Sequence, residues 1–311
     1  MKVLSQFVNI NNSKQNILTM ITSNENPVLL IVHGGPGSPD RPLVFKYNSE
    51  LSKKYTVICW DQRGSGLSYS KDDKKKELTI ELMLSDLKEL VVFLLKKYNK
   101  DKLYIAGHSW GAYLGLRFVS EYPQYVKYYV GTGQGISSYV DEIYKFNFVL
   151  ERAKELKDIK ALEKLKSFGA PIGASYSENS EYEAGYVGKL IHKYGGYIHP
   201  KSTLSMNSYF LDYIRFYKLD IFKVLAGMNY SVKNLNPQIN SSDRITDITE
   251  LKVPILLISG EWDYICPVPA AKVWFEKLSA PKKEFAVIKN AAHMVNFEKP
   301  DEWNKELLKI L

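Results

Sequence analysis

The sequence predicts an α/β fold, a mostly parallel sheet flanked by helices, with a helical cap inserted late in the chain. Three observations predict it. Up to residue 131, short apolar runs alternate with amphipathic helical runs, as parallel strands joined by right-handed helical crossovers require. From 132 to 245 strand-like runs vanish and helical periodicity takes over. After 245 the strand and helix alternation resumes. The expected organisation is one domain, with 1–131 and 246–311 as core and 132–245 as a cap between the sixth and seventh core strands.

Each element follows from its residues. Phe7–Ile10 and Ile17–Ile21 read as two short strands joined by the polar Asn11-Asn12-Ser13-Lys14 turn. Val28–Val32 is continuously apolar, as a strand covered on both faces should be, and runs into the glycine-rich His33-Gly34-Gly35-Pro36-Gly37. A short helix is expected over Leu43–Leu51, then a strand over Tyr55–Trp60 ending in Asp61-Gln62-Arg63-Gly64-Ser65-Gly66. Lys71–Glu77 reads as a surface loop. Thr79 opens a helix whose Ile80, Met83, Leu84, Leu87, Val91, Leu94 and Leu95 share one face. The strand Lys102–Ile105, a helix Ala112–Ser120 and a strand Val126–Val130 follow. In the cap, Ala153, Leu156, Ile159, Leu162, Leu165 and Phe168 recur every third residue, and aromatic residues are dense from Tyr176 to Tyr230. The core closes with a strand at Pro254–Ser259, a helix at Val268–Leu278, a strand at Glu284–Ile288 and a helix at Pro300–Leu311.

With 311 residues, 45% hydrophobic and 24% charged, the chain can bury a full core. Its net charge of +8 comes from scattered lysines, the densest group, Lys71–Lys76, being mixed with Asp72 and Asp73. Without a basic stripe, nucleic acid is not an expected partner. No run is long enough to span a bilayer, and Met1–Gln6 lacks the apolar core of a signal peptide. Two cysteines, Cys59 and Cys266, make no disulfide framework, so reduced thiols in a cytoplasmic protein are expected.

The chemistry centres on Ala106-Gly107-His108-Ser109-Trp110-Gly111. A strand feeding a helix through G-x-S-x-G is a nucleophile elbow, where a tight turn lifts the serine hydroxyl clear of the sheet. Flanking glycines are wanted because a Cβ there would meet the neighbouring strand or helix. Ligands of parallel sheets bind at the carboxyl ends of the strands, which selects four loops, His33–Gly37, the elbow, Gly260-Glu261-Trp262-Asp263 and Ala291-Ala292-His293. A serine nucleophile needs a base, and an imidazole needs a carboxylate to hold its tautomer. The chain order Ser109, Asp263, His293 is that of the α/β-hydrolase triad. Taken singly, His293 could be a surface histidine, Asp263 a helix cap ahead of Val268, and Cys266 a thiol lacking its own histidine. Glu261 is a rival acid expected to face away. His108 should point into the fold, His33 should bond within its own loop, and His192 and His199 read as ordinary cap residues. The backbone N–H groups of Gly35 and Trp110 are the candidate oxyanion donors.

His33-Gly34-Gly35-Pro36-Gly37, Asp61-Gln62-Arg63-Gly64-Ser65-Gly66 and the Gly107–Gly111 elbow together resemble the prolyl iminopeptidases and related α/β-hydrolases. Trp110 and Gly260-Glu261-Trp262-Asp263 ahead of Cys266-Pro267 are similar to that family too. The resemblance implies an α/β-hydrolase fold, a Ser109–Asp263–His293 triad and a bracing role for Asp61 and Arg63. It also implies release of an N-terminal residue, often proline, from short peptides without metal or cofactor. It thins in the cap, where such enzymes bind the substrate amine with carboxylates. The usual tryptophan-and-glutamate pattern is missing there, and Glu178, Glu181, Glu183 and Asp212 are the candidates. Tyr182, Tyr186, Tyr209, Phe210 and Tyr213 could wall a proline pocket or simply pack the helices. The expected activity is a serine aminopeptidase of this kind. A carboxylesterase or amidase on uncharged acyl groups and a non-catalytic binding module are the alternatives.

Overall fold

The computed structural model describes residues 1–75, 77–171, 180–240 and 245–311. β1 (Lys2–Ile10) and β2 (Ser13–Ile21) form an antiparallel hairpin. Only Asn11 and Asn12 separate them, at φ 43° and 58°. Two consecutive left-handed residues give a turn whose twist matches the strands, and asparagine tolerates that conformation. Both strands are longer than their sequence suggested. Lys2–Ser5 is solvent-exposed on an edge strand, so no apolar alternation marks it.

The strands β3 (Val28–Val32), β4 (Thr56–Asp61), β5 (Leu103–His108), β6 (Val126–Thr132), β7 (Ile255–Gly260) and β8 (Lys283–Ile288) complete an eight-stranded sheet. Its order is β1-β2-β4-β3-β5-β6-β7-β8, parallel from β4 onwards. Every residue of β3, β4, β5 and β7 is buried, as the apolar runs at their centres require. Alternate residues serve opposite faces. Val28, Leu30 and Val32 pack with α2 (Ile80–Tyr98) and α3 (Trp110–Glu121) through Leu87, Leu94, Leu114 and Phe118. Leu29 and Ile31 join Leu43 of α1 (Arg41–Tyr47) on the other face. The helix expected over Leu43–Leu51 is in fact α1 followed by a separate 3-10 turn, Ser49–Lys53. Thr79 caps α2 as its position suggested, its Oγ1 accepting from the Leu82 amide at 3.2 Å.

Between β6 and β7 lie α4 (Ser138–Glu155), α5 (Ile159–Phe168), α6 (Ser180–Lys193), α7 (Met206–Tyr217) and α8 (Ile221–Asn240). The every-third-residue run of apolar positions does not make one helix. Lys157 turns at φ 52° and Asp158 caps α5, so Leu156 and Ile159 end exposed while Ala153 and Leu165 pack in the cap's own core. After β7 come α9 (Val268–Lys277), α10 (Val295–Glu298) and α11 (Pro300–Leu308). The four-residue α10 is too short to leave a periodic signal. Among the described residues no helix is long and apolar enough to cross a membrane.

One buried network ties the hairpin, the loop after β4 and α2 together. Arg63 meets Asp86 through two bonds, Nε–Oδ2 at 2.6 Å and Nη2–Oδ1 at 2.8 Å, and Asp86 also accepts from Asn11 and Gln15. Asp61 pairs with Arg41 at 3.2 Å and accepts from the Leu67 amide at 2.8 Å. Asp86→Ala strands a buried guanidinium, and we expect it to destabilise the fold by about 3–5 kcal/mol. Arg63→Met together with Asp86→Leu should recover most of that loss in urea unfolding. A double variant no better than the single one would mean the pair itself supplies the stability.

Candidate active site

The carboxyl ends of β3, β5, β6, β7 and β8 converge on one rim, and the site is assembled there. Ser109 follows β5 with φ 54° and ψ −117°, a conformation costing a side-chain-bearing residue about 1–3 kcal/mol. Its amide donates to Thr132 O at the end of β6 (2.9 Å), which holds the turn in place. The flanking glycines are demanded by space. A Cβ on Gly107 would lie 2.3 Å from Gly111 O, and one on Gly111 only 1.9 Å from Val32 O.

The His33–Gly37 loop closes over this turn. A Cβ on Gly34 would stand 3.0 Å from His108 O and 3.2 Å from the Ser109 Cβ, so any larger residue would push the loop backbone back from the nucleophile by a few tenths of an ångström. Trp110 is the first residue of α3, and its amide is one of those with no acceptor inside the helix. Gln62 locks the two together in a way the sequence did not announce. Its Oε1 accepts from the Trp110 indole and its amide nitrogen donates to His33 O, both at 2.9 Å. His33 does bond within its loop, to Gly34 O at 2.8 Å, and also bridges to Ser65 at 3.0 Å. Burial lowers its pKa to about 4, so it is a neutral strut at physiological pH.

Asp263 ends the turn after β7 and His293 lies in the loop after β8. Asp263 Oδ2 accepts from His293 Nδ1 at 2.9 Å, while Oδ1 accepts from the amides of Ile265 (3.0 Å) and Cys266 (2.8 Å). Each carboxylate oxygen thus has a separate duty. Both residues are buried. Glu261 is exposed and faces Asn290, away from this pair. Gly133, at φ 57° after β6, is a site residue that only the packing reveals. A Cβ there would lie 3.0 Å from His293 Cε1 and 3.2 Å from Asp263 Oδ2.

His108 points into the fold, as its elbow position suggested, but it is not idle. Its Nε2 bonds His293 O at 2.9 Å and its ring lies 4.9 Å from the His293 ring. Burial first, then the neighbouring His293, lowers its pKa to about 3, so it stays neutral and can donate to that carbonyl. Glu298 of α10 adds a second clamp. It accepts from the Ala292 amide (2.9 Å) and from the His199 amide in the cap (2.7 Å), linking the His293 loop to the insertion.

Ser109 and His293 line one cavity of about 130 Å³. A second, of about 160 Å³, shares Ser109, Gly35 and Ile265 with it and extends along Trp110 and Tyr113. The serine therefore stands where two chambers join, with room for a group on either side of a bond presented to it. Of the candidate cap residues, Glu178 lies outside the described residues, and Glu181 and Glu183 fall in α6 at positions whose side chains are not described. Asp212 needs correction. Its carboxylate is taken by Lys46 of α1, at 2.8 and 3.1 Å, and it does not line the cavity. Tyr209 and Tyr213 do line it, whereas Phe210 is exposed and Tyr186 packs on Phe168.

A strained serine between glycines, an oriented imidazole lining the same cavity and a glycine loop above define a class. Residues 27–300 match the family model described as the alpha/beta hydrolase fold, and the chain belongs to that family. It is related to proline iminopeptidases. It is 32% identical over 295 residues to "Probable aminopeptidase YbaC" of Bacillus subtilis, covering 94% of this chain and 91% of that one. It is 23% identical to "Proline iminopeptidase" of Heyndrickxia coagulans, covering 88% and 87%. In fold it is similar to a proline iminopeptidase-related protein from Thermus thermophilus (TM-score 0.66, 16% identity, covering 100% and 98%). It is also similar to a serine hydrolase involved in carbazole degradation (TM-score 0.69, 17% identity, covering 99% and 98%).

Proposed function

We propose that the protein is a serine aminopeptidase of the prolyl iminopeptidase kind, releasing the N-terminal residue of short peptides through an acyl-enzyme. The observation that carries this is the shared cavity of Ser109 and His293, with His293 Nδ1 already bonded to Asp263. The bond from Nδ1 to a carboxylate places the imidazole proton there and leaves Nε2 free to accept. In the reaction, Ser109 Oγ attacks the scissile carbonyl carbon as its proton passes to His293 Nε2. The amides of Gly35 and Trp110 receive the charge that develops on the carbonyl oxygen. Collapse breaks the C–N bond, and His293 returns the proton to the leaving amine. Water then attacks the ester, giving its proton to His293, and the acyl group leaves as a free carboxylate while Ser109 Oγ recovers its hydrogen.

The peptidase reading rather than a general esterase rests on the 32% identical aminopeptidase relative and on an acidic group in the cavity, taken up below. Leu43, Met294 and Phe297 give the same cavity an apolar wall that would suit an ester's acyl group, so the two activities should be assayed side by side. A fluorophosphonate probe is expected to label the wild type. Ser109→Ala should abolish labelling and lower turnover of prolyl-β-naphthylamide by at least about 10⁴-fold. Turnover of short acyl esters with none of aminoacyl naphthylamides would remove the peptidase claim, and an unlabelled wild type would remove the hydrolase claim.

A further inference from the structure

The described cavities were expected to receive their acid from the cap, yet the acid that lines the Ser109 cavity comes from the core. Asp40 stands at the N-cap of α1, immediately after the glycine loop. An aspartate there ordinarily accepts from the amide two or three residues into the helix. Here the second helical residue is Pro42, which has no N–H, and the Leu43 amide is taken by the Asp40 backbone carbonyl at 2.9 Å. The carboxylate makes no capping bond. It is nonetheless 95% removed from solvent, since only 5% of the residue is exposed, and its Oδ2 has no hydrogen-bond partner.

A buried carboxylate oxygen without a donor is costly, and the surroundings relieve it only in part, through the residue's own backbone N–H and the charge of Arg41. Neighbouring cations are already committed, Arg41 to Asp61 and Asn16, and Lys46 to Asp212. No lysine or arginine lines this cavity. Burial, helped by Asp61 and opposed by the residue's own backbone N–H and by Arg41, raises the Asp40 pKa to about 7. Across the cavity, Tyr209 donates its hydroxyl to Tyr213 at 3.0 Å, so two phenol oxygens from the cap share the chamber with the orphaned carboxylate.

We propose that Asp40 is the residue that binds the free amine of the substrate's first residue, with the Tyr209 and Tyr213 hydroxyl oxygens as further acceptors. An ammonium supplies the donor that Oδ2 lacks and places a positive charge inside the cavity, where no lysine or arginine stands. The amine chamber then lies on one side of Ser109, and the rest of the peptide extends into the second chamber along Trp110 and Tyr113. Amine recognition comes mainly from the core, with the cap contributing hydroxyls. This inference rests on the aminopeptidase reading, but its test can fail separately.

The test is calorimetric titration of Ser109→Ala, which cannot turn the ligand over, with prolinamide and with N-acetylprolinamide. Prolinamide should bind at least tenfold more tightly. Adding Asp40→Asn should bring the two ligands to within about twofold of each other, and Asp40→Ser serves in the same way should the asparagine variant not fold. In the Ser109 protein, the same substitutions should lower the ratio of kcat/KM for prolyl-β-naphthylamide over p-nitrophenyl acetate at least 30-fold. Equal binding of the two ligands to Ser109→Ala overturns the proposal even if the enzyme proves to be an aminopeptidase. An amine preference that survives both substitutions overturns it as well. A preference that Asp40 controls, in a protein that cleaves only esters, keeps the amine site and removes the peptidase reading.

Discussion

Asp263→Asn is expected to lower kcat by about 10⁴-fold while leaving the fold and KM largely as they are. The reason lies in how the two carboxylate oxygens divide their work. Oδ1 accepts from two backbone amides, so an asparagine must turn its carbonyl oxygen that way. Its NH2 group then faces His293 Nδ1, 2.9 Å away in the native pair. A donor at that place forces Nδ1 to accept, which moves the imidazole proton to Nε2. The nitrogen meant to take the Ser109 proton is then already protonated. Steady-state kinetics on prolyl-β-naphthylamide, with thermal unfolding as the control, would check this. A loss below tenfold in a normally folded variant would show that the tautomer argument does not govern turnover.

Among the described glycines, Gly111 is where an added methyl group should do the most damage. Its Cβ would lie 1.9 Å from Val32 O and 2.6 Å from His33 O, both main-chain atoms at the end of a central strand. Neither can rotate aside, so β3 and α3 must part. Because the glycine loop continues directly from β3, the same movement would pull Gly35 away from Ser109. Loss of more than about 4 kcal/mol of stability, or failure to yield soluble protein, is the expected outcome. Gly188→Ala is the matched control. It sits inside α6 with nothing within 4 Å of its Cβ position and should be neutral or stabilising by about 0.5–1 kcal/mol. Similar urea midpoints for the two variants would refute the packing argument.

Much of this was legible in the chain because the informative signals are local. Strands covered on both faces carry apolar runs, so β3, β5 and β7 declare themselves, β5 through the short stretch ending at Ile105. The elbow is legible for the same reason, since the turn needs glycine at positions fixed relative to Ser109. Signals fail where the local cause is missing. Lys2–Ser5 pairs along an exposed edge, and α10 has only four residues. The periodic run from Ala153 to Phe168 spans a turn that its spacing conceals.

Local chemistry along the chain determined the layered sheet, the strained serine and the order in which an acid and a histidine follow it, because backbone sterics and strand burial act within a few residues. Tertiary packing alone decided which groups share the cavity. It made Gly133 a neighbour of His293, turned Gln62 and His108 into struts, and tied Asp212 to Lys46. It also put Asp40 in the cavity of Ser109 with its Oδ2 lacking a hydrogen-bond partner, since a carboxylate's role depends on which donors reach it from elements remote in sequence.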